Sequence, residues 1–339
     1  MTSNDPSGSG ATSPPPASAP DLSVVIPVHD AGSTIEHLAQ TLLATDGLRV
    51  QVVLVDDAST DDTAEVLRDL ASREDAVVAL FHDTNAGAGV ARNTGFDVAE
   101  GRYTLFFDAD DIVHPAALGA AVRALDDTGA DLVVLPYDYR RGDQPDRTGM
   151  NTFDHETWAL YVGTTRRRVG TLATFPRLLG FSNYPWNKVL RTETYRRAGL
   201  RFGTTPVHND ILGHWYTLLF ADSIVLLDEK VCTHVVESSG TNISNDRSEA
   251  RLTLFAALDE TYDLLEAHPD LRRRYAHHYW SLVVRVSDWA SGRLDSGHRV
   301  RFDALLQDHL LRIDLGDYTR IRCKHDPALA DSILSRALT

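Results

Sequence analysis

Residues 22–56 read LSVVIPVHDAGSTIEHLAQTLLATDGLRVQVVLVD. Two short apolar runs, Leu22–Val28 and Val50–Val55, are rich in β-branched residues and predict strands. In the segment between them the apolar residues recur at the spacing of one helix face, which predicts a helix over Thr34–Ala44. Strands that are almost entirely apolar are typical of a parallel sheet that is covered on both faces. The stretch therefore predicts a β-α-β unit of an α/β fold.

The same alternation continues beyond this unit and then gives way to helices. The further predicted strands are Val77–Phe81, Tyr103–Phe107, Asp131–Leu135, Ile224–Leu227 and Val231–Val236, and the further predicted helices are Thr60–Ser72, Val90–Ala99, Pro115–Leu125 and Ile211–Phe220. From Arg247 the pattern is helical almost to the end. The predicted fold class is α/β, with a Rossmann-like, mostly parallel sheet that carries helices on both faces, followed by a helical C-terminal region.

Composition narrows the class of function. The 339 residues include 33 Lys and Arg against 48 Asp and Glu, which gives a formal net charge of −15. No nucleic acid partner is expected, because a global positive field for phosphates is missing. The sequence has no signal-peptide pattern and no apolar run near the roughly 18 residues of a membrane helix. With only two cysteines, Cys232 and Cys323, a cytoplasmic location is expected, and peripheral contact with the inner membrane face is left open.

Carboxylates follow the predicted strands, at the edge of the sheet where ligands of open α/β folds bind. Asp56 and Asp57 follow the second strand, and a run of three, Asp108, Asp110 and Asp111, follows the fourth. Three carboxylates within four residues repel one another, and a hard cation such as Mg²⁺ or Mn²⁺ relieves that repulsion. The glycine-rich motifs of dinucleotide-binding and P-loop proteins are absent after the first strand. The acidic run therefore predicts a metal site for a different phosphate ligand.

Three segments carry a more specific resemblance: residues 23–30 (SVVIPVHD), 53–63 (VLVDDASTDDT) and 85–111 (NAGAGVARNTGFDVAEGRYTLFFDADD). In this order they resemble the nucleotide-binding domain of the family 2 inverting glycosyltransferases, which have the GT-A fold. A weaker similarity continues through residues 184–188 and 201–210. The resemblance implies transfer of one or a few sugars, since the Gln-x-x-Arg-Trp signature of processive synthases is missing.

The resemblance also implies roles for single residues. Asp110, at the end of an Asp-x-Asp motif, would ligate the metal on the diphosphate, and Asp108 would contact the ribose or the metal. Asp210 would be the base that takes the proton of the acceptor hydroxyl. The residues implied to line the nucleotide are Pro27, His29, Asp57, Asn85, Gly87, Arg92, Asp108 and Ala109.

Two positions depart from the family pattern. Asp30 stands where the family usually has Asn, and Asn209 stands before Asp210 where Glu is common. Two alternatives therefore stay open: Asp210 merely caps a helix, or the chain is an inactive sugar-nucleotide-binding or scaffold protein of glycosyltransferase ancestry. Three further residues are candidates for contact with the acceptor or the donor sugar: Trp186, Lys188 and His234. For Trp186 and His234 the alternative is packing in the protein interior.

These observations predict a metal-dependent, inverting, non-processive glycosyltransferase of the hexosyl or N-acetylhexosaminyl class that acts in glycan or glycoconjugate synthesis. The expected donor is a nucleotide sugar, with UDP as the nucleotide, and the expected cofactor is Mn²⁺ or Mg²⁺. The acceptor is a glycan, a lipid-linked sugar or a small molecule, and a homodimer is left open. The predicted organisation is a disordered tail (1–20), a nucleotide-sugar-binding half (21–138), an acceptor-binding half (139–245) and a helical C-terminal region (246–339).

Overall fold

The computed structural model describes residues 19–141, 149–236 and 248–338, so most of the predicted tail lies outside the described residues. The strands are β1 (Leu22–Val28), β2 (Val50–Asp56), β3 (Val77–Phe81), β4 (Tyr103–Phe106), β5 (Ile112–Val113), β6 (Leu132–Val134), β7 (Asp138–Arg141), β8 (Arg167–Gly170), β9 (Lys188–Arg191), β10 (Ile224–Leu227) and β11 (Cys232–Val236). The helices are α1 (Gly32–Leu43), α2 (Thr63–Arg73), α3 (Ala88–Asp97), α4 (Pro115–Thr128), α5 (Thr152–Tyr161), α6 (Thr192–Ala198), α7 (Asp210–Leu219), α8 (Leu254–Ala267), α9 (Pro269–Ser291), α10 (Arg299–Leu310), α11 (Leu315–Arg320) and α12 (Pro327–Leu338).

Eight strands form one large sheet in the order β3-β2-β1-β4-β9-β6-β10-β8. Its strands run parallel except β9, which is antiparallel to both β4 and β6, and β8, which is antiparallel to β10. A second sheet has the order β5-β11-β7. The predicted α/β class with a mostly parallel sheet and a helical C-terminal region is therefore confirmed.

The middle of the large sheet is buried on both faces. Val24, Val25 and Ile26 are consecutive in β1 and all have an exposed fraction of 0%. Since consecutive side chains of a strand point to opposite faces, helices must cover both sides. Helix α3 lies close to β1 at Gly95, where any Cβ atom would overlap the side chain of Val25.

The C-terminal helices pack against α7 and the loop that precedes it. Trp215 of α7 meets Tyr279 of α9 edge to face, with 5.6 Å between the ring centroids. Glu260 of α8 accepts a hydrogen bond from the Thr204 hydroxyl at 2.8 Å, in the loop that leads to α7. Among the described residues, none of the helices combines the length and the apolar character needed to cross a bilayer.

Some boundaries differ from the predicted ones. The helix predicted from Thr60 begins at Thr63, because the Asp61 carboxylate accepts a hydrogen bond from the Thr63 backbone N–H at 2.9 Å and stabilises a turn before the helix. The short strands β5, β7, β8 and β9 were not predicted. Their two to four residues are too few to show a periodic pattern, and β9 has its place only through tertiary pairing.

Candidate active site

The predicted nucleotide-binding residues follow β1, β2, β3 and β4, whose carboxyl ends lie along one edge of the sheet because the strands are parallel. His29, after β1, hydrogen-bonds through Nδ1 to the backbone oxygen of Asp57, after β2, at 3.0 Å. The side-chain nitrogen of Asn85 lies 3.4 Å from the same imidazole. Pro27 and Ala109 are half-buried near the ends of β1 and β4. The structure thus brings the predicted nucleotide-binding residues of these loops together.

Asp57 anchors the glycine-containing loop that leads into α3. Its carboxylate is buried and accepts hydrogen bonds from the backbone N–H groups of Ala86 (2.9 Å) and Gly87 (2.7 Å). The imidazole of His82 lies 2.8 Å from the same carboxylate. Gly87 has φ +89°, a conformation that favours glycine. Asp57 therefore fixes the shape of the loop, and its assignment to the nucleotide base stays a prediction.

The departure at Asp30 has a local structural explanation. This residue has φ +49°, a conformation that Asn and Asp tolerate better than other side chains. Its carboxylate accepts a hydrogen bond from the backbone N–H of Thr60 at 2.6 Å, and its own N–H donates to the Ser59 hydroxyl at 3.0 Å. Asp30 thus ties the loop after β1 to the loop after β2, as an Asn side-chain oxygen could also do.

The acidic loop after β4 contains carboxylates in two environments. Asp111 is buried, and its Oδ1 accepts hydrogen bonds from the Val235 N–H at 3.0 Å and from the His234 imidazole at 2.8 Å. Asp110 is exposed at the site edge, but the surrounding protein removes part of its hydration. This desolvation, together with the charges of Asp108 and Asp111, raises the pKa of Asp110 to about 6. The loop therefore concentrates negative charge that a cation would stabilise.

A divalent cation fits this loop. Hard cations prefer carboxylate oxygens, and Mg²⁺ is commonly held by one or two carboxylates together with substrate phosphates. Asp108 and Asp110 supply two such groups, while one oxygen of the buried Asp111 carboxylate has no hydrogen-bond partner among the described residues. Within the described ranges, no three His, Cys, Asp or Glu side chains are arranged to hold a metal by themselves. Phosphate oxygens of a ligand would therefore have to complete the coordination.

Arg92 connects the acidic loop to the loop before α7. Its guanidinium group is buried, donates to Asp108 at 2.6 Å and donates to the Asn209 side-chain oxygen at 2.8 Å. The Asn209 side-chain amide in turn donates to the backbone oxygens of Thr205 (3.2 Å) and Pro206 (3.4 Å). Asn209, where Glu is common in the family, is thus a neutral link between Arg92 and the backbone of this loop.

Asp210, the predicted base, is the first residue of α7 and is partly buried. Burial raises the pKa of its carboxyl group, and the charge of Arg92 opposes this effect. Of the smaller contributions, the charge of Asp108 raises the pKa and the charge of Lys188 lowers it. The position at a helix N-terminus favours the ionised form. A carboxylate with a raised pKa is a better proton acceptor than a fully solvated one, as general base catalysis requires.

Two of the three candidates for sugar contact are buried, and His234 is partly buried. Trp186 and Lys188 have exposed fractions of 0% and 2%. The ring of Tyr184 stacks on Trp186 with 4.6 Å between centroids, and it also contacts His234 at 4.8 Å. The pairing with Asp111 raises the pKa of His234, although burial acts in the opposite direction. The assignment of these residues to a sugar stays a prediction.

Two site residues were not singled out from the sequence as functional. His82 supports Asp57, and Tyr184 covers both Trp186 and His234. The signal for His82 was its place directly after β3, at the same sheet edge as the other site residues. Tyr184 had no comparable signal, because its contacts depend on the pairing of β9 with distant strands.

Comparison with known proteins agrees with this geometry. Residues 23–186, just under half of the chain, match the family described as Glycosyl transferase family 2. Over 203 residues the chain is 32% identical to the uncharacterized glycosyltransferase YibD of Escherichia coli K12. The aligned region covers 58% of this chain and 55% of that protein. The chain therefore spans about half the length of this curated relative.

Two solved structures share the fold. Residues 1–349 of Staphylococcus aureus TarS, in complex with UDP-GlcNAc, match with a TM-score of 0.69 and 20% identity, over 94% of this chain and 88% of that one. The mannosyltransferase PcManGT from Pyrobaculum calidifontis, in complex with GDP-Man and Mn²⁺, matches with a TM-score of 0.55 and 17% identity, over 95% and 84%. These two likenesses show the fold, which is the GT-A fold, and the family resemblance expected from the sequence is confirmed for residues 23–186 by the family match.

Proposed function

We propose that the chain is an inverting glycosyltransferase that moves a hexosyl or N-acetylhexosaminyl group from a UDP-sugar to an acceptor hydroxyl with the help of Mn²⁺ or Mg²⁺. The observation that carries this proposal is the position of Arg92. It bonds Asp108 of the acidic loop with one nitrogen and Asn209, the neighbour of Asp210, with another. A group for the donor diphosphate and a group for the acceptor proton therefore belong to one connected site.

The donor side rests on Asp108 and Asp110. When bound, a divalent cation stabilises the negative charge that develops on the leaving diphosphate. UDP is the proposed nucleotide, because TarS, which shares the fold, binds UDP-GlcNAc. Mn²⁺ is the first cation to test, since PcManGT was solved with it. The loop held by Asp57 offers backbone groups to the nucleoside, and the loop after β1 offers the His29 imidazole.

The acceptor side rests on Asp210. In an inverting transfer the acceptor oxygen attacks the anomeric carbon opposite the leaving diphosphate, and a carboxylate within hydrogen-bond reach takes the hydroxyl proton. Asp210 is ionised more readily than its burial alone would allow, because Arg92 and Lys188 are nearby cations. The acceptor is proposed to be a glycan, a lipid-linked sugar or a small molecule.

Donor turnover tests this proposal. The wild-type chain with Mn²⁺ is expected to release UDP from a UDP-hexose or UDP-N-acetylhexosamine in the presence of a suitable acceptor, measured by a coupled UDP assay. Asp110→Ala is expected to lower this rate by about 100-fold or more, because it removes a cation ligand that stabilises the transition state. Asp75→Ala, at an exposed turn before β3, is the matched control and is expected to retain the wild-type rate.

Two results would contradict the proposal. If the wild-type chain binds UDP-sugars by calorimetry but turns over none across a broad acceptor panel, the alternative of an inactive binding or scaffold protein is favoured. If the product keeps the anomeric configuration of the donor, as read by the proton coupling of its anomeric signal, the transfer is not inverting.

A further inference from the structure

Lys188 is unusual in this chain. Of the 33 basic residues only three are lysines, Lys188, Lys230 and Lys324, and the other 30 are arginines. Lys188 has an exposed fraction of 2%, whereas Lys230 and Lys324 lie at the surface. Unlike Arg, a buried lysine readily changes its protonation state. Lys188 is the buried one of these three lysines. It is therefore the lysine at which the ability to change protonation state, which Arg lacks, matters most.

The contacts of the Lys188 ammonium group are neutral. Its Nζ donates to the backbone oxygen of Tyr184 at 2.9 Å and to the side-chain oxygen of Asn187 at 2.5 Å. Within the described ranges no carboxylate lies within the 4.0 Å of an ion pair. A buried charge without a close counter-ion is costly unless more distant charges compensate it. The charged form of Lys188 therefore depends on more distant negative charges.

The side chain of Lys188 faces the helix that carries Asp210. It lines a cavity of about 10 Å³ together with Gly213, His214 and Thr217 of α7. Asp210, on the first turn of the same helix, is the strongest of the negative charges that act on Lys188, followed by Asp154. Burial nevertheless dominates and lowers the pKa of Lys188 to about 7.

We propose that Lys188 is a positioning residue for the base: its buried ammonium group stabilises the ionised carboxylate of Asp210 and so keeps it ready to take the acceptor proton. This inference rests on the proposed function, in which Asp210 is the base. Lys188 then acts from beneath the protein surface that binds the substrate and does not contact a sugar directly. This role agrees with its burial.

The groups that surround this pair come from several elements. His214 of α7 stays neutral, because burial and the charge of Lys188 both lower its pKa. Arg92 of α3 is the other cation acting on Asp210, but it is already hydrogen-bonded to Asp108. The titratable and charged groups that face Lys188 or Asp210 are Arg92, Asp108, Asp154, Tyr184 and His214.

The first test needs no activity. Lysine labelled with ¹³C at Cε gives three side-chain signals, and the one missing in Lys188→Met belongs to Lys188. We expect this signal to titrate with a midpoint near pH 7 in the wild-type chain. In Asp210→Asn the midpoint should move to lower pH, because the ammonium group loses its main counter-charge. Asp138→Asn removes the partner that lies 2.8 Å from Lys230 and should leave the Lys188 midpoint unchanged.

The second test is the pH profile of kcat/KM at saturating Mn²⁺. In Lys188→Met the midpoint of the acidic limb is expected to rise by about one pH unit. This shift lowers kcat/KM by about tenfold at acidic pH and leaves kcat/KM unchanged on the alkaline plateau. Lys230→Met should keep the wild-type profile. A merely structural role would lower the whole profile without moving its midpoint.

The outcomes separate the inference from the proposed function. An unchanged Lys188 midpoint in Asp210→Asn, or an acidic limb that does not move in Lys188→Met, overturns the inference even if the enzyme is active. If no donor is turned over, the proposed function fails, and the NMR titration still shows whether Lys188 and Asp210 stabilise each other.

Discussion

The side chain of Arg92 connects two parts of the site, the acidic loop and Asn209. Its guanidinium group is buried, with the Asp108 carboxylate on one side, the Asn209 amide on the other and the ring of Phe202 at 5.3 Å. Because Asn209 is neutral, Asp108 is the hydrogen-bonded partner that compensates the positive charge. The family pattern, with Glu before the base, would place a second anion here. This chain therefore depends more strongly on the pairing of Arg92 with Asp108.

Arg92→Met is expected to destabilise the protein and to lower its activity. The substitution leaves a partly buried carboxylate at Asp108 and an unpaired side-chain oxygen at Asn209, and breaking a buried pair costs about 3 kcal/mol. Urea denaturation measures the free energy of unfolding, and the UDP-release assay measures activity. Arg73→Met, which removes surface ion pairs with Glu36 and Asp69, is the control and is expected to cost much less, because water and salt screen exposed ion pairs. Equal losses in the two variants would contradict this account.

Helix α3 begins against the loop that carries Asn209 and Asp210. A Cβ atom on Gly89 would overlap the backbone oxygen of Gly203 and would lie 2.8 Å from Cβ of Asn209. Glycine is thus required for close approach of two backbones. The contact sets the distance between α3, which carries Arg92, and the loop that leads to Asp210, the proposed base.

Gly89→Ala is expected to move α3 and the loop apart and to reduce both stability and activity. Inserting a methyl group into a filled space costs about 2 kcal/mol. Thermal unfolding and the UDP-release assay measure the two effects. Gly297→Ala is the control, because a Cβ atom there has no neighbour within 4 Å, and it should behave as wild type. A wild-type UDP-release rate in Gly89→Ala would show that this contact does not set the site geometry.

Much of the fold could be predicted from local pattern. The bounds of β1 and β3 agree with the sequence prediction, because runs such as VVALF are apolar, β-branched and bounded by turn residues. The acidic loop was predictable for a related reason: residues after parallel strands meet at one edge. The strand β9 was not, since KVLR is short and its place between β4 and β6 is decided by pairing with residues far away in the sequence.

The sequence predicted which residues would lie near one another at the edge of the sheet, but not their contacts. The pattern at Asp57 indicated a nucleotide residue, yet nothing in it indicated that two backbone N–H groups would bind the carboxylate. Lys188 was a candidate for contact with a sugar, and nothing in the sequence indicated that it would be buried. Both differences arise from tertiary packing, which brings together segments that are distant in sequence.

The C-terminal region contains three histidines in contact. The rings of His277 and His325 are stacked with 3.8 Å between centroids, and the ring of His278 lies 4.0 Å from that of His277. Burial, followed by the neighbouring imidazoles, lowers the pKa of His277 to about 3 and that of His278 to about 4. Protonation of two neighbouring rings would place like charges in contact, and Arg273 and Arg320 line the same cavity as His277 and His325.

The whole molecule is therefore expected to lose stability as the pH falls. The folded-state pKa values lie below the unfolded value of about 6.5, so the stabilisation is complete above about pH 6.5 and is lost as the pH falls toward 4 and 3. The loss between pH 7.5 and pH 5 is expected to be about 2 kcal/mol for each of His277 and His278, measured by urea denaturation at both values.

Variants assign this loss to the cluster. His277→Gln removes the central ring and should reduce the difference in unfolding free energy between the two pH values. His37→Gln, on the exposed face of α1, should leave the difference as in wild type. A pH dependence in His277→Gln that equals the wild-type one would show that the loss arises elsewhere.

The position of β9 has a consequence for the order in which the molecule folds. The sheet can be completed only after the chain from β4 to β9 has closed a long loop, and closing long loops slows folding. Until then β4 and β6 expose unpaired edges in what becomes the middle of the sheet. Such edges accept strands from other chains, so refolding at high protein concentration should favour aggregation over the native state.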